Sequence, residues 1–177
     1  MKFVDASPSM YHAISNLAKM LKDAGFKELR MQDAFSLKKG GAYFTTNNGS
    51  AIIAWRMGDS IKNGFRIVGS HSDSPTFKIK MSPEVCVKHH FLKLNTECYG
   101  GAIVSTWFDR PLSIAGRLTL RSKNLLEPEV KLVNIDRNLL IIPNLAIHMN
   151  REINEGYTYN KQKDTLPLLA VLNGKEV

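Results

Sequence analysis

The chain opens on a helical period. Met10, Ile14, Leu17, Ala18 and Leu21 recur three and four positions apart, which gathers them on one helix face. Ser7 is placed to cap that helix, with Pro8 at its first position and Gly25 to stop it. The apolar pattern then changes to short strands. In "GAYFTTNNGSAIIAW", Asn48-Gly49 separates two strand-like runs, a hairpin signal because both residues tolerate positive φ. Asn63-Gly64 marks a further turn. It leads into Arg66-Ile67-Val68, which reads as a buried strand left through Gly69-Ser70. From about Pro83 strands dominate, near 85–94, 102–107, 112–121, 130–135 and 139–142, with no amphipathic helix until about 145. The order predicts an α/β domain over residues 1–82 and a β-rich domain over 83–177, divided at "MSPE", 81–84.

Composition narrows the class without changing that picture. The 177 residues are 44% apolar and 23% charged, ordinary globular values that exclude a disordered chain. No run approaches the ~18 to 20 apolar residues of a membrane span, so no membrane role is expected. The start "MKFVDASPSM" lacks the apolar core of a secretory signal, and Cys86 and Cys98 make no disulfide framework. A cytoplasmic protein is expected. Lysine and arginine exceed aspartate and glutamate by 24 to 16, a net charge of +8. The basic residues are scattered, and no nucleic-acid signature accompanies them, so nucleic acid is not an expected partner.

The candidate chemistry begins at "GSHSDSP". His71 and Asp73 stand two apart at the expected strand exit, so both side chains can point to the same side. An imidazole there suits a metal ligand with a carboxylate as its supporter. A surface polar contact between the two is the competing reading. Cys86, His89, His90 and Cys98 are ligand types, but their spacing matches no zinc site, and packed strand residues describe them better. Gly100-Gly101 signals a bulge or close backbone approach ahead of Trp107-Phe108-Asp109-Arg110, a strand pair with an ionic corner. His148 follows a short apolar segment, where a capping or core histidine competes with a functional one. The closing apolar stretch "LPLLAV" is followed by only a few residues, and the chain reads as cut short.

Taken in order, "GSHSDSP", "YGGAIVSTWFDRPLSIAGRL" and "IPNLAIHMNREIN" resemble the aspartyl aminopeptidase family of cocatalytic metallopeptidases. The opening helix, the Asn48-Gly49 hairpin and "LPLLA" fit too, so the resemblance covers essentially the whole chain. It implies hydrolysis of N-terminal, often acidic, residues from peptides by two divalent metals, usually Zn2+. It implies His71 as a metal ligand and Asp73 as the residue that orients it. It implies that the β-rich segment is a dimerisation domain inserted into the catalytic one. His148 on it would reach a neighbouring subunit's site, within a homo-oligomer built as a tetrahedral twelve-subunit particle. The family's remaining ligands and its general-base glutamate lie downstream of residue 177. The 177-residue chain alone is therefore expected to be inactive. The alternative is a catalytically inactive truncated subunit that acts through its dimerisation surface.

Overall fold

The computed structural model describes residues 2–60, 62, 64–124 and 128–172. In chain order its elements are α1 (Lys2–Asp5), α2 (Met10–Asp23), β1 (Lys27–Glu28), β2 (Ala42–Asn47), β3 (Ala51–Arg56), β4 (Thr76–Val87), β5 (Phe91–Tyr99), β6 (Ala115–Leu120), β7 (Glu129–Asn134) and β8 (Leu168–Val171). Single 3-10 turns occupy Val104–Trp107 and Ile147–Met149. The chain forms two compact units, one of residues 1–74 with 115–134 and one of 75–114 with 135–177.

In the first unit α2 turns its expected apolar face inward. Ile14 is 2% exposed, and Met10, Leu17, Ala18 and Leu21 are half-buried. The cap is Ser9 rather than Ser7. The Ser9 hydroxyl accepts the His12 amide at 3.5 Å and lies 2.8 Å from His12 Nδ1. Ser7 is diverted, because its hydroxyl accepts from the Asn16 side-chain amide at 3.0 Å, and Pro8 stands before the cap. Gly25, at φ +80, ends the helix as expected. Its amide reaches the Lys22 carbonyl and the Phe26 amide reaches that of Leu21, both at 2.9 Å, satisfying two last-turn acceptors.

The helix packs on a three-stranded sheet of order β1-β2-β3. Asn48 and Gly49 turn β2 into β3 at φ +51 and +65, the conformation the hairpin signal requires. Tyr43 and Phe44 are buried in succession, Phe44 completely, so β2 is covered on both faces. The antiparallel ribbon β6–β7 joins this unit through Arg117. Its Nη1 donates to the Asn48 carbonyl at 2.6 Å and to Asn48 Oδ1 at 2.9 Å, with the guanidinium 4.3 Å from the Tyr11 ring centre.

The second unit is built on a sheet of order β4-β5-β8. Leu92, Leu94 and Thr96 alternate inward along β5, and Leu140, Ile142 and Leu166 complete the core. The strand expected over 85–94 is instead the meeting of two strands. Lys88 and His89 turn the chain at φ +50 and +56, and the His90 amide closes on the Val87 carbonyl at 3.0 Å. Neither residue announces a turn. The register that buries Leu92 and Leu94 against β4 and β8 demands one there.

Other expectations also yield to packing. Arg66–Val68 is coil, with Ile67 86% and Val68 98% exposed, because no strand among the described residues pairs with it. Segment 102–107 holds a 3-10 turn in place of a strand. The Thr106 hydroxyl donates to the Ile103 carbonyl at 2.7 Å, a local bond that competes with a ladder. Only the three-residue turn at 147–149 represents the helix expected near 145. Residues 81–84 lie inside β4, at an irregularity of register between Ile79 and Glu84. Asn63 of the second expected turn lies outside the described residues.

Candidate metal centre

The loop from Gly69 to Pro75 takes part in no strand and leads into β4, and its two candidate residues meet. His71 Nδ1 lies 2.7 Å from the backbone carbonyl oxygen of Asp73 and 3.2 Å from Asp73 Oδ1. A carbonyl oxygen only accepts, so Nδ1 carries the proton and donates it. In the neutral ring that leaves the lone pair on Nε2, the tautomer in which an imidazole binds a metal through its outer nitrogen. The His71 side chain is 81% exposed, so that nitrogen is accessible. The two side chains face the same side, as a spacing of two residues allows, and the ring meets both the carbonyl and the carboxylate of Asp73.

The loop is tied down at one further point. The Ser72 hydroxyl donates to the Ser50 carbonyl at 3.0 Å, just beyond the Asn48-Gly49 turn. Arg117 holds that same turn, so the loop hangs from a hairpin itself fixed from β6. Sequence reasoning passed over Ser72, Ser50 and Arg117. Only the serine's position between His71 and Asp73 pointed to any of them.

His148 belongs to the second unit, exposed on its 3-10 turn. No hydrogen bond or ion pair restrains its ring among the described residues, so the backbone sets where it points. The Gly100 signal is real. Gly100 has φ +77, and a Cβ there would meet Pro75 Cα at 3.4 Å, where the chain enters β4.

A family model described as aminopeptidase I zinc metalloprotease (M18) matches residues 3–177. The chain belongs to the M18 peptidase family. A probable M18 family aminopeptidase 2 from Clostridium acetobutylicum is 51% identical over 175 residues, 98% of this chain and 40% of the relative. A solved complex of Ape4 with Nbr1 matches at a TM-score of 0.88 and 38% identity, over 97% of this chain and 33% of that one. The mApe1 dodecamer of Saccharomyces cerevisiae matches at 0.77 and 27% identity, over 94% and 36%. This M18 chain thus spans about two fifths of the length of the curated relative.

The family is one of zinc metalloproteases, and His71 offers one nitrogen suited to zinc, already backed by an acceptor. A zinc ion takes about four ligands. Among the described residues no group of three or more His, Cys, Asp or Glu side chains is placed to hold one. Cys86 and Cys98 are free thiols on β4 and β5, but Cys86 is exposed and His89 and His90 lie exposed in the turn between the strands, so of the four expected packed strand residues only Cys98 is half-buried in a strand. The residues present fit one ligand position and its support, not a whole centre. No helix among the described residues is long and apolar enough to cross a membrane.

Proposed function

We propose that this M18 protein is a metallo-aminopeptidase that removes N-terminal residues, acidic ones preferentially, from peptides. The observation that carries the proposal is the 2.7 Å contact that fixes the tautomer of His71, within a chain that matches the M18 family over residues 3–177. His71 is assigned as a metal ligand and Asp73 as the residue holding its ring. A pair of divalent metals, zinc in this reading, supplies polarisation of the scissile carbonyl and a nucleophile from bound water. The chain's own contribution on this side is orientation. Nδ1 keeps its proton on Asp73, and the outer nitrogen keeps its lone pair.

His148 is assigned to a neighbouring subunit's site, where its N–H donates to the oxygen on which negative charge develops. That assignment requires assembly. The dodecameric state named for mApe1 supports a homo-oligomer, which we assign as a dimer-based, tetrahedral twelve-subunit particle. Residues 1–82 are assigned to catalysis and 83–177 to an inserted dimerisation domain. The cytoplasm is the assigned compartment. A second reading is a catalytically silent subunit acting through its dimerisation surface.

Metal content and turnover separate the two. In the metal-loaded enzyme, His71→Ala should abolish turnover and reduce bound metal, read by elemental analysis, and glutamyl or aspartyl substrates should be cleaved faster than leucyl ones. Normal metal and normal turnover in the variant would remove His71 from the site. Faster leucyl cleavage would overturn the acidic preference. A purified 177-residue chain should hold less than one tight zinc and be inactive. Two zinc ions per chain there would contradict the partial ligand set.

A further inference from the structure

Asp109 adopts a backbone conformation that L side chains rarely take, φ +55. Aspartate and asparagine tolerate it better than most, so the position is selective without being reserved for glycine. What this conformation achieves is visible on either side of Pro143. The Asp109 amide donates to the Ile142 carbonyl at 3.0 Å, and Asp109 Oδ1 accepts from the Asn144 amide at 2.9 Å. Proline has no amide of its own to contribute. One residue therefore grips the chain before and after Pro143. Ile142 beneath it is fully buried.

The grip passes on toward His148 through successive local bonds. Asn144 Oδ1 accepts from the Leu145 amide at 2.9 Å, and the Met149 amide donates to the Ala146 carbonyl at 2.8 Å, closing the turn that contains His148. Asp109 is itself held from two sides. Trp107 meets the Phe77 ring of β4 edge-on at 5.0 Å, and Phe108 stacks on Tyr159 at 5.0 Å, near the far end of the same long loop. The Trp107-Phe108-Asp109 block thus touches the sheet, the start of the His148 loop and its end. An ionic corner, the reading from sequence, is not what this aspartate makes.

We infer that Asp109 is a positioning residue for His148, anchoring the Ile142–Asn144 segment from which the His148 turn departs. The inference rests on the assignment of His148 to the oxyanion. Its competitor is an aspartate that only stabilises the second unit.

Three substitutions divide the contributions. Asp109→Asn keeps a carbonyl acceptor and tolerance of positive φ. Asp109→Gly keeps only the backbone freedom, and Asp109→Ala keeps neither. In the assembled, metal-loaded enzyme, Asp109→Gly should lower kcat about tenfold, the worth of roughly one hydrogen bond, with KM little changed. Asp109→Asn should recover most of that loss. The Asn144 amide, followed by hydrogen exchange, should exchange faster in the Gly variant and slowly in the Asn variant. In a His148→Ala background, Asp109→Gly should cost no further turnover, because its effect runs through the missing ring.

An equal cost with and without His148 would overturn the inference, as would an unaltered Asn144 amide in the Gly variant. A His148→Ala enzyme with normal turnover would instead sink the assignment of His148, a distinct failure. If Asp109→Ala does not fold, the Gly and Asn pair still decides the question. Their stabilities, measured by thermal unfolding, show whether turnover falls without loss of structure.

Discussion

His71 is oriented by a residue two positions away, whose carbonyl oxygen lies 2.7 Å from its Nδ1, whereas the turn carrying His148 hangs from a carboxylate on another segment, Asp109. The first loop carries its own support. Its contact lies within three residues, and the Ser72 bond to Ser50 ties the loop to the hairpin. The second owes its shape to a block at 107–109 that must first pack on Phe77 and Tyr159. A locally supported histidine keeps its ring plane while its surroundings move. A histidine positioned from a distance is sensitive to the packing of the whole unit, as suits a residue assigned to act across subunits.

The largest expected effect tests whether the two histidines serve one site. His148→Ala should reduce turnover by ~10² to 10³, the worth of one oxyanion donor. Mixed with complete His71→Ala subunits, it should regain part of the activity, since some sites then draw both intact residues from different chains. Subunit exchange is checked by mass. With exchange verified and no activity regained, the assignment in trans fails.

The cores of the two units offer the next contrast. Phe44 and Ile142 are each fully buried, one in each unit. Phe44→Ala should cost about 3 to 5 kcal/mol and Ile142→Ala about 2 to 5, by denaturant unfolding. Because the His71–Asp73 pair is local, the ring resonances of His71 should survive Ile142→Ala, while those of His148 should shift. Equal disturbance of both rings would erase the contrast.

A smaller effect is expected at Asp73. Asp73→Ala removes the carboxylate at 3.2 Å but leaves the carbonyl at 2.7 Å, so the tautomer persists. Metal affinity of the complete enzyme should fall by ~10 to 100-fold, the usual cost of losing an outer partner. An unchanged affinity, by competition with a chelator, would leave the carbonyl as the whole of the support.

The smallest concerns the far end of the His148 loop. The Tyr157 hydroxyl donates to Asp164 Oδ2 at 2.8 Å, and this hydrogen bond, above burial and the carboxylate's charge, raises the Tyr157 pKa from 10.0. A raised pKa means that the bond's contribution is fully present below the unfolded value and is lost as pH climbs through the folded one. Phenolate absorbance should therefore show Tyr157 titrating late, returned toward 10.0 by Asp164→Asn. A titration identical in the two proteins would show that this bond does not hold the loop in solution.

The amino-acid sequence by itself determined the features whose causes lie within a few residues. Helix α2 has its apolar face and its glycine stop where the period and Gly25 put them. The Asn48-Gly49 hairpin turns where both residues tolerate positive φ, and His71 meets Asp73. The family resemblance was legible too, because it rests on residue order alone. Tertiary structure decided the rest. Lys88 and His89 adopt positive φ only because burying Leu92 and Leu94 fixes the register of β4 against β5. Ser9 displaces Ser7 as cap once Asn16 takes the Ser7 hydroxyl. Arg66–Val68 has strand-forming residues but no partner strand among the described residues, and a strand exists only as a pair. Asp109 grips the segment around Pro143 because its neighbours Trp107 and Phe108 are already packed. Local propensities amount to a fraction of a kcal/mol per residue, so burial and long-range hydrogen bonds override them wherever they compete.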